Sequence, residues 1–143
     1  MKNRFHQKAL LVAVLLVLSP LAQAQVAVIV NLKSSLSTLT PEQAAGLFLG
    51  KSSTVPGGGP AVLVDLPDSS AVREQFYSKA AGKTPPQVKA AWSRLTFSGK
   101  ATPPKELATA VDVKKYVAAN ADAIGYIEKS AVDATVKVVL VVE

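Results

Sequence analysis

The sequence has no cysteine, one histidine (His6), one methionine and one tryptophan. Without cysteine there is no disulfide, no thiolate nucleophile and no zinc site of the usual cysteine type. His6 lies in an N-terminal leader, so the remainder of the chain also lacks the commonest general base. Long blocks of one charge are missing too. Lysine and arginine total 16 against 10 acidic residues, but they form no run that would suggest nucleic-acid or membrane-surface binding. Only one long apolar run occurs, Ala9 to Leu18, and it is too short to span a bilayer as a mature helix.

That run follows Lys2, Arg4 and Lys8, ends at Ser19-Pro20, and leads to the small-x-small sequence Ala22-Gln23-Ala24. These are the three parts of a secretory signal peptide. Residues 1–24 are therefore expected to be removed after Ala24, with the mature chain starting at Gln25 and no membrane insertion after cleavage. Export without disulfides fits the bacterial periplasm better than a stapled secreted domain. Residues 25–143 make one domain, large enough to bury a core without staples. Three of the basic residues leave with the leader, so the mature net charge falls from +6 to +3.

What is present alternates between apolar runs and capped helical patterns. Val26–Val30, Ala61–Leu66, Ala123–Ile127 and Val136–Val142 read as strands. Thr40-Pro41-Glu42-Gln43 and Thr84-Pro85-Pro86-Gln87 are capping boxes with proline in the first helical turn. The first helix turns Ala44, Leu47 and Phe48 inward and stops at Gly50. The other carries the stripe Val88, Ala91, Trp92 and Leu95. Trp92 is read as a buried anchor rather than a ligand-stacking ring, because indole buries so much area. Another helix covers Thr109 to Asn120. Together these predict an α/β domain with a central mixed sheet of four or five strands flanked by helices.

Pro56-Gly57-Gly58-Gly59-Pro60 is a loop, not a phosphate loop, since no strand directly precedes it and the Gly-Lys-Ser/Thr ending is missing. The informative stretch is Val62 to Phe76. Its apolar run breaks at Pro67, crosses Asp68, Ser69 and Ser70, and enters a helix predicted to reach Ala81, with Val72, Phe76 and Ala80 on one face. Two readings are open for this turn. Asp68 or Ser69 caps the helix, or the helix start holds an anion on its free N–H groups. Arg73 likewise has two readings: a partner for that anion, or an exposed ion pair with Asp68 or neighbours of Glu74, the commoner fate of such a residue. Ser69 and Ser70 have no histidine partner, and Asp65 and Asp68 have no third acidic group to suggest a metal site. No enzyme, metal or cofactor is expected.

Several pieces resemble one family: Val28-Ile29-Val30-Asn31, Leu39-Thr40, Leu47-Phe48-Leu49-Gly50-Lys51, Val64 to Phe76, Trp92 to Lys100, and Ile124-Gly125-Tyr126. In this order they are similar to the phosphate-binding proteins of bacterial ABC transporters, in the type 2 periplasmic-binding superfamily. The resemblance implies a single lobe of a two-lobed fold whose phosphate lies in the cleft between lobes. The family's loop reads roughly Arg-x-Asp-Gly-Ser-Gly-Thr before its helix. Counted back from Phe76, the loop Asp falls on Asp68 and the phosphate-binding Ser on Ser70. The Arg falls on Leu66, the second Gly on Ala71 and the Thr on Val72. The implied anion contacts are Asp68, Ser69, Ser70, Ala71, Val72 and Arg73, binding inorganic phosphate or a similar oxyanion weakly. The alternative is a non-catalytic adaptor that has lost its ligand and pairs with an envelope protein or with itself.

Overall fold

The computed structural model describes residues 24–143; the leader reading for residues 1–23 lies outside the described residues. Five strands, β1 (Val26–Val30), β2 (Val62–Asp65), β3 (Lys105–Glu106), β4 (Ala123–Glu128) and β5 (Lys137–Val142), form one sheet in the order β3-β2-β4-β1-β5. Strands β3, β2 and β4 run parallel, while β1 is antiparallel to both β4 and β5. Among the described residues, four α-helices accompany them: α1 (Pro41–Phe48), α2 (Ala71–Phe76), α3 (Pro85–Phe97) and α4 (Ala110–Ala119). This is the mixed α/β sheet that the alternation of elements predicts. Among the described residues, no helix is long and apolar enough to cross a membrane.

The strand with no polar residue sits deepest. All five residues of β1 are fully buried between its two antiparallel neighbours, as expected of a β-branched run without alternation. Helix α4 lies close on one face because Gly125 in β4 has no side chain; a Cβ there would stand 2.7 Å from Val113 Cγ1. The buried Asn31, just past β1, donates its side-chain amide to the carbonyls of Val117 and Ala118 at 2.9 and 3.0 Å. It thereby satisfies the last turn of α4. Tyr126, next to Gly125, projects to the other face. There it stacks on Phe76 with ring centroids 4.2 Å apart, and Phe48 meets both rings edge-on.

Both predicted capping boxes are formed, by Thr40 with Gln43 and by Thr84 with Gln87. Trp92 is buried, and its indole N–H donates to the Phe48 carbonyl at 2.8 Å. One strand was not read from the sequence, and one reading needs correction. Strand β3 has only two residues, both exposed, and exists because the chain runs beside β2 rather than through any apolar pattern. The helix starting at Ala71 is α-helical only to Phe76, then widens into a π-turn over Tyr77–Ala81 before Gly82 ends it at φ 61°. The wider turn falls where two successive aromatics, Phe76 and Tyr77, are both buried. Its inward side accordingly carries Arg73, Phe76 and Tyr77, while Val72 and Ala80 are only half-buried.

Gly50 ends α1 at φ 73°, against Trp92 and Leu95. An added Cβ would stand 3.0 Å from Trp92 Cη2 and collide with Leu95 Cδ1. Gly50→Ala combines left-handed backbone strain with overpacking, so a loss of about 2–4 kcal/mol is expected in urea unfolding. A change below about 0.5 kcal/mol would mean this corner relaxes freely.

Candidate functional site

Strand β2 is apolar until its last residue, Asp65, which is buried. A carboxylate in that position must be compensated, and the surrounding chain does so from four directions. The Leu66 N–H donates to Asp65 Oδ1 at 2.9 Å, and the Tyr126 hydroxyl donates to the same oxygen. The Tyr77 hydroxyl donates to Oδ2 at 2.6 Å, and the Arg73 guanidinium lies 3.8 Å from that oxygen. Burial, followed by the charge and hydrogen bond of Asp65, holds both tyrosine pKa values far above their ordinary value. These phenols are donors at every physiological pH.

Arg73 is the hinge between this buried cluster and the surface. Its Nη1 donates to the Leu66 carbonyl at 2.9 Å, its Nη2 lies 3.3 Å from Asp68 Oδ1, and its guanidinium covers the Tyr77 ring at 5.4 Å. Burial works against its charge, but Asp65, the two tyrosines and Asp68 together raise its pKa above the usual arginine value. The exposed ion pair expected from sequence is therefore wrong in its setting. Arg73 is only 9% exposed, held inside by Asp65 and reaching Asp68 from below. Its Nε is buried without a partner among the described residues.

Of the other predicted contacts, Ser70 is the helix cap. Its Oγ accepts from the Arg73 N–H at 3.2 Å, and its own N–H closes a turn onto the Pro67 carbonyl at 2.9 Å. The capping role read for Asp68 or Ser69 thus belongs to Ser70. Asp68 and Ser69 are exposed, Ala71 is exposed and Val72 half-buried. Ala71 and Val72 occupy the first helical positions, where N–H groups have no partner within the helix. Among the described residues, no hydrogen bond from either N–H is present.

A hollow of about 470 Å³ opens beside this turn, at the C-terminal ends of β2 and β3. Parallel strands present ligands at that end. Asp68 and Arg73 border it together with Lys89, Trp92, Phe97 and Glu106, whereas Ser69, Ser70, Ala71 and Val72 do not. The structure therefore divides the predicted site: Asp68 and Arg73 face the hollow, and the four intervening residues lie outside its wall. Counting Asp65, three carboxylates and two cations surround it, which gives an acidic bias. Sequence reasoning weighed Asp65 only as a metal ligand and gave Tyr77 and Tyr126 no role at the site. One signal was available, an aspartate closing the apolar run Val62-Leu63-Val64. Among the described residues, no three His, Cys, Asp or Glu side chains are placed to hold a metal ion.

No protein-family model and no curated protein matches the chain. Solved structures do match. One is described as a phosphate ABC transporter substrate-binding protein with bound phosphate from Clostridium perfringens, at 26% identity and TM-score 0.64, covering 81% of this chain and 45% of the other. An ABC-type phosphate transport receptor from Vibrio cholerae matches at 22% identity and TM-score 0.63, over 81% and 46%. PstS from Borrelia burgdorferi matches at 11% identity and TM-score 0.57, over 81% and 47%. The latter two likenesses concern the fold alone. The chain spans less than half the length of each of these proteins. Its α/β fold is that of a single phosphate-binding-protein-like lobe.

Proposed function

We propose that this protein is an exported, periplasmic substrate-binding-like module, released as residues 25–143, that contacts phosphate or a similar small oxyanion weakly and catalyses nothing. The observation that carries this reading is the turn between β2 and α2. It ends in a formed serine cap and leaves the Ala71 and Val72 N–H groups without an acceptor among the described residues. The Clostridium perfringens likeness, a fold solved with bound phosphate, supports a role in binding an anion. In this reading the Ala71 and Val72 N–H groups donate to the anion, and the Ser70 hydroxyl can donate while its oxygen caps the helix. Ser69 borders the same turn. Asp68 and Arg73 set its electrostatics, and Arg73 is a poor anion partner because two carboxylates already share it.

That arithmetic makes binding weak and gives a test with a definite sign. Removing the Asp68 charge takes away one repulsion and frees one side of Arg73. At about 5 Å in a water-like dielectric, one unit charge contributes about 1 kcal/mol. Asp68→Asn should therefore bind phosphate about fivefold more tightly in calorimetry at low salt. A drop in affinity would instead assign Asp68 to orienting the loop. Absence of heat from both parent and variant at millimolar phosphate and sulfate would remove the binding claim for the isolated chain.

A second reading is favoured by Phe97, which is 97% exposed on the rim of the hollow. A ring left in water beside a recess suits an interaction module that pairs with an envelope protein or a second copy. Sedimentation separates the two readings: a stable dimer that ignores phosphate supports pairing, and a monomer that binds phosphate supports solute contact.

A further inference from the structure

We propose a second ligand site on this chain, a lysine-flanked cleft that takes a small organic anion with an apolar body, of the aryl phosphate or aryl carboxylate class. Two helices end in the same way. Helix α1 closes in Phe48-Leu49-Gly50-Lys51 and α3 in Phe97-Ser98-Gly99-Lys100, with the glycines at φ 73° and 71°. Each lysine N–H folds back onto its own helix, Lys51 to the Gly46 carbonyl at 2.8 Å and Lys100 to the Leu95 carbonyl at 3.0 Å. Both lysines then border one cleft of about 610 Å³, which meets the acidic hollow at Trp92, Pro103 and Pro104.

The charge balance of this cleft is the reverse of its neighbour's. No carboxylate lines it, and among the described residues none comes within 4 Å of Lys51 or Lys100. Lys105 also borders it, but its ammonium is engaged over the Tyr116 ring at 5.5 Å. The two helix C-termini offset only about half a charge each, so the lysines leave the cleft cationic. Its wall combines apolar Leu47, Val62 and Trp92 with the hydroxyl residues Ser52, Ser53 and Thr102. An apolar recess of this size with a few convergent polar groups suits a small molecule. Strand β3 covers only Val64 and Asp65 of β2, so the Ala61–Leu63 edge has no paired strand there. The Ala101–Pro104 segment lines that side of the cleft, and it takes the room an added peptide strand would need. A compact anion is therefore the occupant.

The site is independent of the phosphate reading, and one titration distinguishes their failures. Phenyl phosphate, phenol and inorganic phosphate are each added to the protein while backbone amide shifts are followed. Phenyl phosphate should give saturable shifts at Lys51–Ser53 and Ala61–Leu63. Phenol should bind these residues at least about tenfold more weakly, as should the Lys51→Gln/Lys100→Gln protein. The Lys51→Arg/Lys100→Arg protein should keep binding, which separates lost charge from lost folding. Inorganic phosphate should leave these residues unshifted, whatever it does at Ser69–Arg73. The proposal is overturned if phenyl phosphate shifts only Ser69–Arg73, or gives no saturable shift by about 10 mM. It also falls if phenol or inorganic phosphate binds the cleft equally well, or if the double glutamine protein binds like the parent.

Discussion

Asp65→Ala should cost about 3–5 kcal/mol of unfolding free energy, because it strips a buried arginine of its one buried counter-charge and leaves two buried phenols without an acceptor. The Tyr77 and Tyr126 hydroxyls both end on this one carboxylate, and Arg73 lies 3.8 Å away. Asp68 still pairs with Arg73 in the variant, but it is exposed and contributes little on its own. Asp65→Asn keeps one acceptor oxygen and the side-chain volume, so its loss should be smaller, about 2 kcal/mol. Tyr77→Phe and Tyr126→Phe each remove a hydrogen bond to a charged group, and about 1.5–3 kcal/mol is expected for each. The four residues share one network, so the single losses should not add. Urea unfolding of the set checks this; an alanine variant within about 1 kcal/mol of the parent would contradict the role given to Asp65.

The same two tyrosines predict a steep alkaline loss of stability. In the folded chain both are held neutral well above their ordinary pKa, by burial first and then by Asp65. In the unfolded chain they ionise near pH 10. A folded pKa raised above the unfolded one contributes stability that is fully present below about pH 10 and declines as pH rises beyond it. Above that point the unfolded chain binds fewer protons than the native one. Each tyrosine then adds a slope of about 1.4 kcal/mol per pH unit, and the pair about 2.7. The contrast that isolates these two phenols is with the Tyr77→Phe/Tyr126→Phe protein. Its stability should fall less steeply between pH 10 and about 11.5. Parallel curves for the two proteins would mean that the phenols are not buried against a carboxylate.

The parts of this fold that could be read from sequence are those whose cause is local. The β-branched runs gave β1, β2, β4 and β5 to within a residue or two, because a buried strand needs only consecutive apolar side chains. Thr40 and Thr84 announced their helices because a capping box satisfies its donors within four residues. Strand β3 could not be read, since Lys105 and Glu106 pair with β2 by position alone. The π-turn at Tyr77 depends on burying two neighbouring rings against a sheet that lies elsewhere in the sequence.

The candidate site divides along the same line. Its helix start was legible from the turn residues Asp68, Ser69 and Ser70, although the cap proved to be Ser70. Arg73 was read first as an exposed pair because that is the commoner fate of an arginine beside acidic residues in a turn and a helix start. What holds it inside is Asp65, eight positions earlier, a carboxylate that Tyr126 from β4 also binds. That geometry exists only once β2, β4 and α2 have come together. The resemblance drawn from scattered motifs and the structural likeness agree on the lobe, while the loop's own chemistry differs where Leu66 and Val72 stand.

The most direct measurement is a titration of the protein with inorganic phosphate at low salt, read at the backbone amides of Ala71 and Val72. Saturable shifts there, with a dissociation constant in the millimolar range and suppression by about 0.2 M salt, are the predicted result. Unmoved Ala71 and Val72 amides at about 50 mM phosphate would contradict an anion contact at the start of α2.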